Sequence, residues 1–418
     1  METVLLLNSI IGTIFAVCYA YQFFYLAVPL FRKDRPHSPE KPNRFCVLIC
    51  ARNEANVIAN LLESIRRQDY PAERITAAVI ADNCTDDTAA VARAHGAVVY
   101  ERTNTEQIGK GYAMQELLGH LREDHLADAF DEYLVVDADN VLEPGFVTAI
   151  NRTLSDGYEA VTTYRNSKNF GDNWVSGGSA FTYLRESQLL NRSRYLLGLG
   201  CVVNGTGFAF SRALMERQGG WPFHLLTEDM EFSTRCACDG VKIGYCREAM
   251  LFDEQPVSFR QSWRQRMRWS KGYFQVLRRY GGKLLRGAFS GKFICFDILL
   301  SILPAFVLTS LVLLINLSAA LALLLTGQSP LPALASLVSA VAGFLGTLLV
   351  LGVVMTVCEW KKIRATAAQK IGYCLLYPIF MATYVPVAFQ ALFCRVEWKP
   401  IVHTRSMTID ELTDQQKP

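Results

Sequence analysis

Asp137-Ala138-Asp139 offers two carboxylates one residue apart. Such a pair suits Mg²⁺ or Mn²⁺ bridging a diphosphate, since these ions take few protein carboxylates and fill their remaining positions with phosphate oxygens. The plain alternative is an acidic turn. Glu228-Asp229 follows Thr227, where Thr caps a helix and the acids favour its positive end. A carboxylate there, partly withdrawn from water, has a raised pKa and can serve as a general base. Asp82 can accept an N–H from a nucleobase or simply open a turn. Lys110, between Gly109 and Gly111, can reach phosphates or sit solvated in a loop. Gln265, Arg268 and Trp269 are i, i+3 and i+4, so on a helix they share one face. An amide, a guanidinium and an indole there can hold an anionic leaving group and cover a ring. Equally, they can meet lipid head groups and join an aromatic belt.

The elements around these residues read as α/β. Residues 45–50 form a short apolar run bounded by polar residues, too short for a helix and right for a buried strand. A helix is expected from Asn53-Glu54 to Gln68, a strand from Ile75 to Ala81, and a helix capped by Thr85 to Ala94. A strand over 97–101, a helix from Gly109 to Leu121 and a strand over 133–136 follow. Alternating strands and helices imply a mostly parallel sheet with ligands at the carboxyl ends of its strands. Three strand ends carry polar clusters: Asn53-Glu54, Asp82, and Asp137 with Asp139. Further on, a helix is expected over 178–196, a tight loop at Asn204-Gly205-Thr206-Gly207, a break at 219–222, and a helix capped by Thr227 to Cys238.

Half the residues (51%) are hydrophobic, and mean hydropathy is +0.16, high for a purely soluble chain. The net charge of +3 is too small to imply a nucleic-acid partner, and the basic residues lie beside apolar runs, as at a membrane surface. The twelve Cys form no CxxC pair, which fits a reducing compartment. Residues 1–31 read as an uncleaved transmembrane anchor and 32–43 as a linker. Residues 44–255 read as the α/β domain. Residues 256–292 read as basic, amphipathic interface helices, with nine Lys/Arg between Arg260 and Arg286. Residues 293–395 read as transmembrane helices and 396–418 as a short polar tail. Arg32-Lys33-Asp34-Arg35 puts the end of the first span in the cytoplasm and Met1 outside. Three later spans then leave the tail outside, although its Arg395, Lys399 and Arg405 oppose that unless one run is re-entrant.

Taken in order, Asp82, DAD, the NGTG loop, TED and QRMRW resemble the membrane-embedded family 2 glycosyltransferases, the group containing cellulose, chitin, hyaluronan and poly-N-acetylglucosamine synthases. The resemblance covers about 44–274 and implies a GT-A fold, Rossmann-like with a mostly parallel sheet, in a cytosolic domain between N- and C-terminal transmembrane helices. It implies that Asp82 binds the uracil of a UDP-sugar, with Asn53 and Glu54 alongside and Lys110 nearby. Asp137 and Asp139 would hold the diphosphate, Asp139 through the metal. Asp229 would be the catalytic base, supported by Glu228. Gln265, Arg268 and Trp269 would hold the diphosphate and the acceptor end, and Gly205 and Thr206 would line the acceptor path. The family usually reads Tyr-Asn-Glu where this chain has Arg52-Asn53-Glu54, which bears on nucleobase packing. QxxRW points to a processive, β-linking polysaccharide synthase in the plasma membrane. Four spans are few for an export channel in one chain, which favours a homodimer or single-sugar transfer to a lipid. A transporter would carry ionisable residues in its spans; here only Asp297 stands there.

Overall fold

The computed structural model describes residues 2–34, 36–302, 304–396, 403 and 405–414. One eight-stranded sheet organises the soluble part. Its strands are β1 (Phe45–Ala51), β2 (Ile75–Asp82), β3 (Val98–Arg102), β4 (Glu132–Asp137), β5 (Val141–Leu142), β6 (Ala160–Ser167), β7 (Phe208–Ser211) and β8 (Ile243–Asp253). The order is β3-β2-β1-β4-β7-β6-β8-β5. β1 to β4 run parallel, and β7 inserts antiparallel between β4 and β6. The four strands expected from the sequence are the parallel half. β5 to β8 were not foreseen. β6 is buried along its whole length although Thr162, Thr163, Arg165, Asn166 and Ser167 are polar, so it lacks the apolar pattern that reveals a strand.

Helices pack on both faces. Ile58, Leu61 and Leu62 join Val47, Ile49 and Val79 in one core; Met114, Leu117 and Leu121 meet Leu48, Ile80 and Val135 in the other. The second core continues through Phe181 into Met355 and Tyr377 of the apolar helices. There Gly178 is needed, because a Cβ on it would lie 2.5 Å from the Phe380 ring.

Several helix starts differ from expectation. The helix after β1 begins at Ile58, because Asn53 takes a left-handed turn (φ 58°) and accepts the Thr85 N–H through Oδ1 at 2.8 Å. Thr85 therefore caps nothing. The helix Thr88–Ala94 is preceded by Asp86, whose carboxylate accepts the Thr88 N–H at 3.1 Å. Thr227 precedes Glu228–Asp239 without a capping bond. The helix expected over 178–196 starts at Trp174 under an Asn173 capping box and widens to a π-helical turn over Arg185–Asn191.

Among the described residues four helical runs are long and apolar enough to cross a membrane: Glu2–Phe31, Phe293–Leu325, Leu331–Cys358 and Ala367–Phe393. Met1 and Lys399 of the orientation argument lie outside the described residues. Asp297 is not a solitary charge. It accepts Arg194 at 2.7 and 3.0 Å, Tyr21 at 2.8 Å and Tyr25 at 3.0 Å, clamping the first two runs to the α/β domain. The basic stretch forms one helix, Phe259–Phe289, rather than several.

The fourth run corrects the expected topology. Its start is tied to the domain by Gln369 Nε2, which donates to Gly171 O at 2.8 Å. It breaks at Thr383, where Arg266 donates to the Phe380 carbonyl and the Thr383 hydroxyl. Its far end returns to the basic helix, with Trp263 donating to Gln390 Oε1 at 2.8 Å. The tail then packs on the same domain: Arg405 N donates to Glu254 at 3.0 Å, and Ile409 and Leu412 are buried. The tail thus lies on the domain side, not opposite it.

Candidate active site

The carboxyl ends of β1, β2 and β4 open onto a cavity of about 1110 Å³. Glu54, Asp82, Lys110, Asp137, Asp139 and Gly205 line it on the sheet side. Glu228, Asp229, Gln265, Arg268 and Trp269 line it from the two helices opposite. The cavity then continues between the apolar helices as far as Asn8 and Ser336. Two expected residues do not reach it. The Asn53 side chain holds the Asp82 loop through Thr85, and the buried Thr206 stands behind Asp137, accepting its N–H at 2.9 Å and donating to Asn140 at 2.5 Å. Thr206 shapes the DAD turn rather than the cavity wall.

Charge is concentrated here. The Asp82 carboxylate accepts Arg102 at 2.6 Å, while Arg102 also holds Glu116 and Gln107. Lys110 pairs with Asp137 and donates to Gly205 O at 2.7 Å. Burial pulls its ammonium down, but Asp137 and Glu228 outweigh burial and hold it above the usual value. Burial raises Glu228 to about 7, helped by the Asp229 charge beside it and opposed by Lys110 and Arg268. Asp229 is raised as well, chiefly by burial, against the backbone N–H groups of Met230 and Gly205. A buried carboxylate with a raised pKa facing cations is suited to taking a proton near neutrality.

The approach of the two helices depends on Gly272. A Cβ there would lie 2.5 Å from Thr227 Oγ1 and 2.6 Å from Cγ2, so only glycine lets the basic helix seat against the residue before Glu228. Arg268 donates one Nη1–H to Leu226 O at 3.1 Å, which aims the guanidinium at the cavity. Trp269 packs edge-on to Tyr183.

Three lining residues escaped the sequence reading. Arg165 pairs with Asp253, donates to Asn204 O at 2.7 Å and lies 3.7 Å over the Tyr183 ring. Burial pushes Asp253 up to about 6 despite Arg165. His403, from the tail, donates to Glu54 at 2.8 Å and stands 3.9 Å from Asp139. Burial disfavours its imidazolium, but Asp139 and Glu54 outweigh that and push it up to about 10. Arg165 and Asp253 sit on the unforeseen strands β6 and β8. His403 lies 264 positions beyond Asp139 in the chain, and no local pattern marked it.

Asp137 and Asp139 are the carboxylates that could hold a divalent cation, Asp137 being paired with Lys110. Among the described residues no three His, Cys, Asp or Glu group to hold a metal ion by themselves. Glu54, Asp253 and Glu254 crowd Asp139 with further negative charge.

Residues 42–272, more than half of the chain, match the family described as "Glycosyltransferase like family 2". The chain is 24% identical over 275 residues to "Probable glycosyltransferase YdaM" of Bacillus subtilis, covering 62% of this chain and 61% of that protein. It is 24% identical over 255 residues to a "Beta-monoglucosyldiacylglycerol synthase" of Synechocystis, covering 60% and 51%. It thus spans between half and two thirds of the length of these relatives. Among solved structures, a mannosyltransferase of Pyrobaculum calidifontis, determined with GDP-Man and Mn²⁺, superposes with a TM-score of 0.54 at 18% identity, covering 93% of this chain and 99% of that one. The likeness shows a shared fold.

Proposed function

Since the chain belongs to glycosyltransferase-like family 2, we propose that it transfers one sugar, with inversion, from a UDP-sugar to the hydroxyl of a membrane lipid. The observation that carries this reading is the cavity itself, which leads from Asp229 into the space between apolar helices. The lipid's hydroxyl meets the carboxylate there without its chains leaving an apolar environment.

In this reading Asp82 and Glu54 face the nucleoside, Asp82 with one oxygen already held by Arg102. Asp229 takes the proton from the acceptor hydroxyl, and that oxygen attacks the anomeric carbon from the face opposite the diphosphate. Glu228, whose own proton is held on by burial and by the Asp229 charge beside it, supports Asp229 from the same helix start. Arg268 and Lys110 stabilise the charge growing on the departing diphosphate, a task for donors already in place and partly shielded from water. Mg²⁺ or Mn²⁺ held by Asp137 and Asp139 would supply further charge neutralisation. Gln265 and Trp269 flank the acceptor end, and Gly205 leaves it room beside Asp229, since a Cβ there would come 4.0 Å from Asp229 Oδ2. The first run's Arg32 and Lys33, and Lys361, Lys362 and Arg364 of the connector before the fourth run, lie on the domain's side. By the positive-inside rule that side is the cytoplasm.

A processive polysaccharide synthase is the second reading, favoured by Gln265, Arg268 and Trp269 in the spacing of chain-extending members. Product size separates the two. Purified enzyme given a labelled UDP-sugar and membrane lipid is expected to place all label in a glycolipid carrying one sugar. Label in a water-soluble polymer would overturn the lipid reading.

A further inference from the structure

The membrane part of the cavity has a length and an end. On Glu2–Phe31 the lining runs from Phe23 to Asn8, fifteen residue steps or about 22 Å of helix. That exceeds the roughly 15 Å half-thickness of a bilayer's hydrocarbon core, so one alkyl chain fits extended. The walls are largely aliphatic and aromatic, with Ile11, Val312, Ala340, Phe344 and Leu348 among them, and the Thr347 hydroxyl is turned to its own helix at Gly343 O, 3.0 Å away. A sugar chain would leave many hydroxyls there without partners, whereas an alkyl chain brings none.

At the far end three polar side chains close on one another. Asn8 Nδ2 donates to Asn316 Oδ1 at 3.0 Å and to Ser336 Oγ at 2.8 Å, and Asn316 Nδ2 donates back to Asn8 Oδ1 at 3.1 Å. Asn316 is fully buried. Among the described residues, none before Asn8 on the first helix and none between Leu331 and Ala335 on the third lines the cavity. A chain end pushed further would have to part these hydrogen bonds, which hold the buried Asn316.

We propose that the Asn8–Asn316–Ser336 contact is a stop that sets the longest alkyl chain the enzyme accepts on its lipid acceptor. The proposal rests on the lipid-acceptor reading above. It makes Ser336, which lines the slot, and the two asparagines at its end specificity-determining residues far from the chemistry.

The test is a competition among lipid alcohols of one head group and graded chain length, in one detergent, with the glycolipid products resolved by mass. Wild type should show an upper length beyond which product falls about tenfold for about two further methylenes. Ser336→Leu fills the end of the slot and should move that limit to shorter chains. Asn8→Ala with Asn316→Ala opens the stop and should move it to longer ones. UDP-sugar hydrolysis without acceptor should stay at the wild-type rate in both variants, which reports an intact donor site. Glycolipids with the same length profile in wild type and both variants would overturn the stop while leaving the lipid reading in place. Polymer instead of glycolipid in wild type would overturn the lipid reading itself.

Discussion

Asp229→Asn is expected to lose about 10²–10⁴-fold in sugar transfer while UDP binds nearly as well as to wild type. The substitution keeps the shape and the backbone hydrogen bonds from Met230 and Gly205 but removes the only function a base needs, an ionisable oxygen. A variant that loses UDP binding together with turnover would assign Asp229 to the fold of the cleft instead. The pH profile carries the same argument. Burial holds both Asp229 and Glu228 above the ordinary carboxylate range, Glu228 at about 7. The base must be ionised to act, so kcat/KM should be level at higher pH. It should fall about tenfold per unit once the pH drops below the titration of Asp229, which burial lifts above the ordinary carboxylate range. Glu228→Gln removes the carboxyl that burial and the Asp229 charge keep protonated up to about pH 7, so any acid limb near neutrality should give way to a lower one that belongs to Asp229 alone. An unmoved limb would detach Glu228 from that role.

How far the site was legible follows from how each residue is held. Asp137 and Asp139 were readable because four apolar residues of β4 run straight into them, and a strand end in a parallel sheet faces ligand. Glu228 and Asp229 were readable as acids at a helix start, although the expected Thr227 cap is absent, its hydroxyl being turned to Gly272 instead. Asn53 and Thr206 looked equally polar and equally well placed in sequence. Their side chains are spent on neighbouring loops, and only the partner across space decides that. β6 went unread for a related reason: it runs beneath the cleft, so its buried side chains include Thr162, Thr163, Arg165 and Asn166 where hydrophobic ones would have announced a strand. β8 differs, since Ala249-Met250-Leu251-Phe252 runs into Asp253 as β4 runs into Asp137, and the same signal was passed over there. The fourth apolar run illustrates the limit of hydropathy. Length and composition qualify Ala367–Phe393 as a span, yet Arg266 binds its break, its start is tied to the α/β domain and its far end returns to the basic helix. The basic residues of the tail had pointed that way.

The second large effect is expected at Arg268. Removing its side chain in Arg268→Ala should lower kcat by about 10²–10³-fold, the range found when one pre-placed donor to developing negative charge is lost. The helix around it should stay seated, because Gly272 against Thr227 and the buried Arg266 hold it independently. Arg268→Lys separates the two roles the sequence left open. A lysine keeps the charge but not the planar fork, and it cannot both bond Leu226 O and present paired N–H groups to a diphosphate. If Arg268 serves the leaving group, the lysine variant recovers only part of the rate, and excess Mn²⁺ restores little of the remainder. If it merely met lipid head groups, lysine would serve as well as arginine, and turnover in the variant would match wild type at every lipid composition.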